Sequence, residues 1–232
     1  MTRWHYLQHV PFEGPAHLAS WARSRGHSLA GTEVWTGVSL PRLDRFDGLF
    51  ILGGPMNVYE EDRYPWLVGE KELIGGAIAA NKAALGVCLG AQLLSVVLGG
   101  TVTKNPQKEI GWFPVELTAA GREHPLLRGF PGRFMAFHWH GDRFTIPPGA
   151  AHVARTEVCE EQGLVYGDRI VGLQFHLEST EESVGALIEH CRDEITPAPY
   201  IQDPSAMRGQ AAHQRDAHAL LERLLDGLAA ST

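Results

Sequence analysis

Cysteine is scarce in this sequence, and its spacing argues against two common roles of the residue. Only Cys88, Cys159 and Cys191 occur among 232 residues, and no two of them form a C-x-x-C pair. An odd number of cysteines without such spacing favours neither a disulfide framework nor a structural zinc site. We therefore expect a reducing, cytoplasmic location. The amino-terminal residues agree, because they lack the long apolar core of a signal peptide.

Clusters of basic residues are also missing. The chain has 20 lysines and arginines against 27 aspartates and glutamates, which gives a net charge of −7. Because affinity for nucleic acid depends on clustered positive charge, no nucleic-acid partner is expected. The 44% hydrophobic and 20% charged content is that of an ordinary globular protein. A chain of this size can form one domain, and we expect a single domain over residues 1–232.

A continuous apolar helix is absent too, although one segment comes close. Ala83–Thr103 carries no charge and reaches the length of a membrane span. Glycines and polar residues interrupt it, and they predict a strand, a tight turn, a helix and a second turn. We therefore expect no membrane partner. The interrupting residues are Gly86, Gly90, Gln92, Ser95, Gly99 and Gly100.

Up to about Val102, apolar runs of strand length alternate with stretches of helical periodicity. This pattern is typical of an α/β fold with a doubly wound, mostly parallel sheet and helices on both faces. Beyond it, short strands between glycine and proline turns predict a small antiparallel extension. The predicted strands are Trp4–Val10, Gly48–Leu52, Ala84–Val87, Trp112–Leu117, Arg133–Phe137, Ala151–Thr156, Leu164–Tyr166 and Ile170–Phe175. The predicted helices are Ala16–Arg25, Trp66–Ala80, Gly90–Leu98, Glu181–Ile195 and His213–Leu228.

The last predicted helix belongs to a carboxy-terminal helical extension over about residues 196–232. Its leucines recur on one side of the helix, and we expect that side to pack against the domain. The loop before it contains Tyr200, Ile201 and Gln202, for which the sequence assigns no position.

The pattern G-x-C-x-G, centred on Cys88, stands between a predicted strand and a predicted helix. It is typical of a nucleophile elbow, in which a sharp turn exposes the nucleophile and the flanking glycines let strand and helix approach. The adjacent helix amino terminus favours a thiolate. We predict that Cys88 is a nucleophile. The alternative is a small apolar residue buried at a strand-to-helix junction.

Backbone N–H groups near this turn predict an oxyanion hole. The candidate donors are the N–H of Leu89 and one from the turn Gly53-Gly54-Pro55, with Gly54 as the expected donor.

His176 and Glu178 offer the acid and base that a cysteine nucleophile needs. In extended backbone, residues i and i+2 face the same side, so Glu178 can bond one imidazole nitrogen and leave the other for Cys88. The alternative is a chance pair, since the chain has 12 histidines. His138 and His140 can share one side of a strand in the same way, but the sequence shows no carboxylate cluster to complete a metal site, and we expect no metal.

Three ordered motifs resemble those of the class I, or triad, glutamine amidotransferases. They are Gly86-Val87-Cys88-Leu89-Gly90-Ala91-Gln92, Gly53-Gly54-Pro55 and Gln174-Phe175-His176-Leu177-Glu178. Two further segments, Lys108-Glu109-Ile110-Gly111-Trp112 and His140-Gly141-Asp142, resemble the glutaminase domain of GMP synthase. The resemblance covers about residues 46–178. It departs from many family members at Leu177, where they have a proline.

The resemblance implies hydrolysis of the side-chain amide of glutamine through a γ-glutamyl thioester, with no cofactor. Cys88 would attack, His176 would transfer protons and Glu178 would orient His176. Substrate contacts are implied for Gly53, Gln92 and the segment His140-Gly141-Asp142, which is expected to form a turn. Gln92 could equally be a packing or capping residue.

Three functions remain open at the level of sequence. The first is a glutaminase that supplies ammonia to a separate synthase, because the segment after Glu178 is too short for an ATP-pyrophosphatase domain and has no P-loop-like motif. The second is a hydrolase of γ-glutamyl peptides or γ-glutamyl amines. The third is a catalytically silent binding or regulatory domain.

Overall fold

The computed structural model describes residues 1–230, and in that range the strands form one nine-stranded sheet. Its order is β2-β1-β3-β4-β9-β8-β7-β5-β6. The strands are β1 (Arg3–Gln8), β2 (Ser28–Glu33), β3 (Gly48–Ile51), β4 (Ala83–Val87), β5 (Val102–Leu117), β6 (Arg133–Phe144), β7 (Ala150–Arg155), β8 (Gly163–Tyr166) and β9 (Ile170–Leu173). The predicted domain and its extension run to residue 232, so their last two positions lie outside the described residues.

Five neighbouring strands, β2, β1, β3, β4 and β9, pair in parallel. Every residue of β3, β4 and β9 is buried, as their continuous apolar sequences predict. The helices are α1 (His17–Ser24), α2 (Trp66–Ala79), α3 (Leu89–Val97), α4 (Ala119–Glu123), α5 (Glu181–His190), α6 (Pro204–Met207) and α7 (Ala211–Ala230).

Two separate hydrophobic clusters cover the two faces of this parallel half. One joins Trp4 and Phe50 to α1 and α7. The other joins Leu7 and Ile51 to α2 and α3. Helices therefore lie on both faces of the sheet, and the prediction of a doubly wound α/β fold with an antiparallel extension is confirmed.

The antiparallel extension is longer than its predicted strands. β5 and β6 continue well beyond Trp112–Leu117 and Arg133–Phe137, and they pair over most of their length with a shift between Lys104 and Glu109. The added residues are largely polar, so no apolar run marks them as strand. One consequence is that His140-Gly141-Asp142, predicted as a turn, lies inside β6.

Other elements differ from their predictions as well, among them the short helices α4 and α6, which were not predicted. β2 was not predicted, because its sequence Ser-Leu-Ala-Gly-Thr-Glu has no apolar run and it occupies a mostly exposed edge of the sheet. α5 ends at His190 instead of Ile195, and a short 3-10 turn over Arg192–Glu194 follows it.

The helix α7 packs on the domain as its leucine pattern predicts. Leu221, Leu224, Leu225 and Leu228 are almost fully buried in the cluster that also contains Trp21 of α1. The loop before α7 pairs with β5: the N–H of Ile110 donates to the carbonyl of Tyr200, and that of Gln202 donates to the carbonyl of Ile110. Across residues 1–230, no helix combines the length and the apolar character that a membrane span requires.

Candidate active site

The turn from β4 into α3 has the strained geometry of a nucleophile elbow. Cys88 has φ 51° and ψ −108°, a conformation that L residues rarely adopt. A side chain at Gly86 would collide with the carbonyl of Gly90, and one at Gly90 would collide with the carbonyl of Ile51. Glycine is therefore required at both positions, because the strand and the helix approach at backbone distance.

The sulfur of Cys88 faces a cavity of about 260 Å³. Its thiol donates to the carbonyl of Trp139 at 3.6 Å, and the side-chain amide of Gln174 donates to the sulfur at 3.6 Å. Gln92 donates in turn to the Oε1 of Gln174 at 3.2 Å. Cys88 is only 8% exposed, so a reacting group has to enter the cavity to meet it.

His176 and Glu178 lie just beyond the end of β9 and form a buried pair. The Nδ1 of His176 lies 2.6 Å from Oε1 of Glu178. Hydrogen bonds in both directions with the backbone of Phe137 hold the extended segment. Burial alone lowers the pKa of His176, but the charge of Glu178, their hydrogen bond and the neighbouring Cys88 outweigh burial and raise the pKa well above its ordinary value.

The other ring nitrogen of His176 is not bonded to Glu178, and Cys88 is a neighbour that raises the pKa of the ring. Within residues 1–230, its Nε2 is buried without a hydrogen-bond partner. Glu178 therefore occupies one nitrogen and leaves the other for proton exchange, which is the arrangement that a cysteine–histidine–acid triad requires.

Most of the remaining sequence candidates line the same cavity as Cys88. Gln92, His140, Gly141, Asp142 and Gly54 all contribute to its wall. Leu89 is not part of that wall, and neither is Gly53. Gly53 borders an adjoining cavity of about 20 Å³, together with His176 and Glu178.

Several cavity residues were not among the predicted site residues, although Lys108 belongs to a segment that carries the family resemblance. The carbonyl of Trp139 contacts the sulfur of Cys88. Lys104, Lys108 and Glu194 place charge at the cavity wall, with Lys108 and Glu194 3.0 Å apart. Glu13 borders both cavities. It follows the carboxyl end of the parallel strand β1, and that position is the signal that could have found it, because ligands of open α/β sheets bind at such strand ends.

Glu13 has an unusual carboxyl group. Burial, the largest influence, raises its pKa from 4.5 to about 7, although the neighbouring His176 and His9 act in the opposite direction. Within residues 1–230, this carboxyl group has no hydrogen bond or ion pair. Its side chain lies against Gly53, on the side of that residue where His176 also lies.

Replacing Glu13 with glutamine is expected to remove a pH-dependent loss of stability. A carboxyl whose pKa is higher in the folded state keeps its proton until the pH rises through about 7, whereas the unfolded chain loses it near 4.5. The native state therefore loses stability as the pH rises through that window. In thermal melts, the Tm of the wild type should fall more between pH 5 and pH 8 than that of Glu13→Gln. The exposed Glu72→Gln is the control, and equal falls in Glu13→Gln and wild type would contradict the assignment.

A carboxylate lies beside His138 and His140, although the sequence showed no carboxylate cluster that would complete a metal site with them. The antiparallel register places Glu109 of β5 opposite His140 of β6, so the three side chains form a buried group. Burial, above all, lowers the pKa of His138 to about 3 and keeps its ring neutral. These three side chains could hold a divalent cation. Glu109 and His140 are also bonded to their surroundings, since the Gln162 amide donates to both, whereas the two ring nitrogens of His138 are buried without a hydrogen-bond partner within residues 1–230.

Comparisons with known proteins point to one family. Residues 23–190 match the family described as glutamine amidotransferase class-I. A glutamine amidotransferase-like protein of Salmonella typhimurium, YfeJ, is 36% identical over 97% of this chain and 97% of its own. A glutamine-hydrolysing GMP synthase of Thermomicrobium roseum is 34% identical over 61% of this chain and 25% of its own. The crystal structure of a glutamine amidotransferase from Thermotoga maritima has a TM-score of 0.89 at 34% identity, and the match covers 98% of this chain and 97% of that one.

Proposed function

The chain belongs to the class I glutamine amidotransferase family, and on that basis we propose that it hydrolyses the side-chain amide of glutamine through a thioester on Cys88. The observation that carries the proposal is the convergence of an elbow cysteine, a histidine and a carboxylate that is bonded to only one of the two ring nitrogens. Each of the three is a chemically competent residue, which argues against a silent domain.

The proposed reaction has two stages. In the first, His176 takes the thiol proton of Cys88, and the sulfur attacks the carbonyl carbon of the side-chain amide. His176 then gives that proton to the departing nitrogen, so ammonia leaves and a γ-glutamyl thioester remains. In the second, His176 takes a proton from water, whose oxygen attacks the thioester. Glutamate leaves and the Cys88 thiol is restored. Glu178 holds the ring in orientation and stabilises the imidazolium form.

The oxygen of each tetrahedral intermediate is proposed to meet the N–H groups of Gly54 and Leu89. Leu89 is the first residue of α3, where backbone N–H groups have no partner within the helix. Gly54, in the turn that follows β3, lines the same cavity as Cys88. Donors placed in advance around a developing negative charge lower the barrier most where water is excluded.

The cavity suits a small zwitterion. Its volume of about 260 Å³ lies just below the range of cavities that hold drug-sized ligands, about 300 to 1,000 Å³. Its wall carries charges of both signs, with Lys104 and Lys108 against Asp142 and Glu194. A single amino acid with one ammonium and one carboxylate group fits this combination of size and charge better than a peptide does.

A second candidate, hydrolysis of γ-glutamyl amines or peptides, would use the same two stages with a larger leaving group. One observation favours it: this chain matches the Salmonella typhimurium relative over 97% of the length of each, but only 25% of the length of the Thermomicrobium roseum GMP synthase. A glutaminase of this kind would instead require a separate ammonia-accepting synthase as its partner.

A substrate panel tests the proposal directly. Glutamine, a γ-glutamyl dipeptide and a γ-glutamyl alkylamine would be compared at equal concentrations, with asparagine and the α-linked glutamyl dipeptide as controls. We expect release of ammonia and glutamate from glutamine, with at least a tenfold preference in kcat/KM over both larger substrates, which is about 1.4 kcal/mol. A reversed preference would favour the second candidate. Turnover of no γ-glutamyl compound above the level of Cys88→Ala would favour the silent domain.

A further inference from the structure

A buried histidine and glutamate lie behind the turn that follows β3. The Nε2 of His9 is 2.8 Å from the Oε1 of Glu70 on α2, and its Nδ1 is 2.9 Å from the carbonyl oxygen of Gly53. Both side chains are 0% exposed. The carbonyl of Gly53 only accepts, so Nδ1 donates to it, and Nε2 donates to Glu70 when that group is a carboxylate.

Two donated hydrogen bonds favour the imidazolium form of His9. Burial opposes the charged form, but the charge and hydrogen bond of Glu70 and the Gly53 carbonyl outweigh it and raise the pKa of His9. Neither residue lines the cavity around Cys88. The pair is therefore separate from the groups that face the substrate.

The contact with the Gly53 carbonyl determines where the next N–H points. The carbonyl of Gly53 and the N–H of Gly54 belong to one planar trans peptide group, in which the two bonds point in opposite directions. Because His9 holds the carbonyl on its own side, the Gly54 N–H is directed away from His9. Gly54 itself lies between His9 and the elbow: a Cβ added there would lie 2.9 Å from the Cβ of His9 and 3.1 Å from Cδ2 of Leu89.

We propose that His9 and Glu70 are positioning residues that fix the Gly53–Gly54 peptide with its N–H toward the oxyanion of the Cys88 reaction. The inference rests on the proposed function, because it assigns this N–H to the oxyanion hole. Glycines on both sides of a peptide leave it unusually free to rotate. A half-turn of this peptide would replace the N–H donor with a carbonyl oxygen, whose negative charge would repel the oxyanion.

The energetics of the pair support a positioning role over a packing role. Replacing a buried ion pair with apolar residues of similar volume is often neutral or stabilising, so stability alone does not require one. The pair is also incompletely satisfied, since Oε2 of Glu70 has no hydrogen-bond partner within residues 1–230. What the pair does provide is one defined orientation of the peptide beside the nucleophile.

Two substitutions of His9 separate positioning from packing. The side-chain amide of His9→Asn can take the place of Nδ1 and donate to the Gly53 carbonyl. The longer amide of His9→Gln reaches the place of Nε2 and donates to Glu70 instead. Both variants remove the ring and its charge, and each keeps one of the two hydrogen bonds. A role in packing alone predicts similar effects for the two.

We expect His9→Gln to lower kcat by about 10²-fold to 10³-fold with little change in KM, as loss of one oxyanion donor does. His9→Asn should recover at least tenfold of that loss. Alkylation of Cys88 by iodoacetamide, a displacement that forms no oxyanion, should proceed at wild-type rate in both variants. Crystal structures of the two free variants should show the Gly53–Gly54 peptide rotated in His9→Gln and unchanged in His9→Asn.

The crystallographic comparison needs no substrate, so it tests the positioning role even if the proposed reaction is wrong. A peptide that stays in place in His9→Gln, or equal losses of kcat in the two variants, would overturn the proposal. Should His9→Gln fail to fold, the wild type treated with a glutamine-mimicking ketone replaces it. In that adduct, the oxygen should lie 2.7–3.1 Å from the Gly54 nitrogen. An oxygen held by other donors would overturn the proposal equally.

Discussion

Cys88→Ala is expected to lower the hydrolysis of glutamine by about 10⁴-fold or more, to a level set by binding and the oxyanion donors alone. The reason is that no thioester can form without the sulfur. The fold should persist, because alanine is smaller than cysteine and the flanking glycines are unchanged. Single-turnover assays of ammonia release, with circular dichroism spectra and melting curves of both proteins, measure the two effects separately.

The chain contains its own control for this substitution. Cys191 lies in the wall of the same cavity, and Cys191→Ala should keep most of the activity. Burial, above all, raises the pKa of Cys191 to about 12, with Glu13 and Glu194 adding to the effect. Burial is also the main cause that raises the pKa of Cys159 to about 12. A glutamine-mimicking electrophile should therefore label Cys88 first. Retention of wild-type activity by Cys88→Ala, or equal labelling of the three thiols, would refute the assignment of Cys88 as the nucleophile.

Loss of the histidine should have nearly the same effect. In His176→Ala, the sulfur loses its proton acceptor and the departing nitrogen loses its proton donor, so we expect a decrease in kcat close to that of Cys88→Ala. Because the members of a triad act as a unit, the double variant Cys88→Ala/His176→Ala should be no slower than either single variant. Steady-state kinetics of the three proteins measure this directly. A double variant that is slower by the product of the single effects would contradict a shared step.

Glu178→Gln tests the third member of the proposed triad with little change in side-chain size. It keeps a hydrogen-bond acceptor beside Nδ1 of His176 and removes the charge that raises the pKa of His176. Its loss of kcat should be smaller than that of His176→Ala. A loss as large as that of His176→Ala would mean that the charge of Glu178 matters as much as the ring it orients.

The parts of the site that the sequence predicted are those encoded within a few residues. The elbow needs two glycines and a cysteine at fixed spacing, and His176 reaches Glu178 because alternate residues of an extended segment share a side. The buried parallel strands are equally local, since each is an apolar run of four or five residues. For the same reason, the doubly wound half of the fold could be recognised before any contact was known.

What the sequence did not predict depends on pairing between distant segments. Glu109 meets His140 only through the antiparallel register of β5 and β6. Trp139 presents a backbone carbonyl to Cys88, and no side-chain pattern encodes such a contact. Glu13 stands in a loop without a motif, and its raised pKa comes from burial that the tertiary structure creates. The polar ends of β5 and β6 become strand by pairing with each other, against their weak local preference.

The helix α7 contacts the segment that carries Glu178, the proposed acid of the triad. The Nε2 of His218 in α7 is hydrogen-bonded to the carbonyl of Ser179 at 2.9 Å, and its ring stacks on that of His17. The backbone N–H of His17 donates to the carbonyl of Glu178 at 3.1 Å. Cys88, by contrast, lies between the end of β4 and the start of α3. The proposed nucleophile and the proposed acid are thus held by different segments, although Cys88 shares a hydrophobic cluster with the leucines of α7. A displacement of α7 would therefore act on the Glu178 segment through hydrogen bonds and on Cys88 through the hydrophobic cluster that they share.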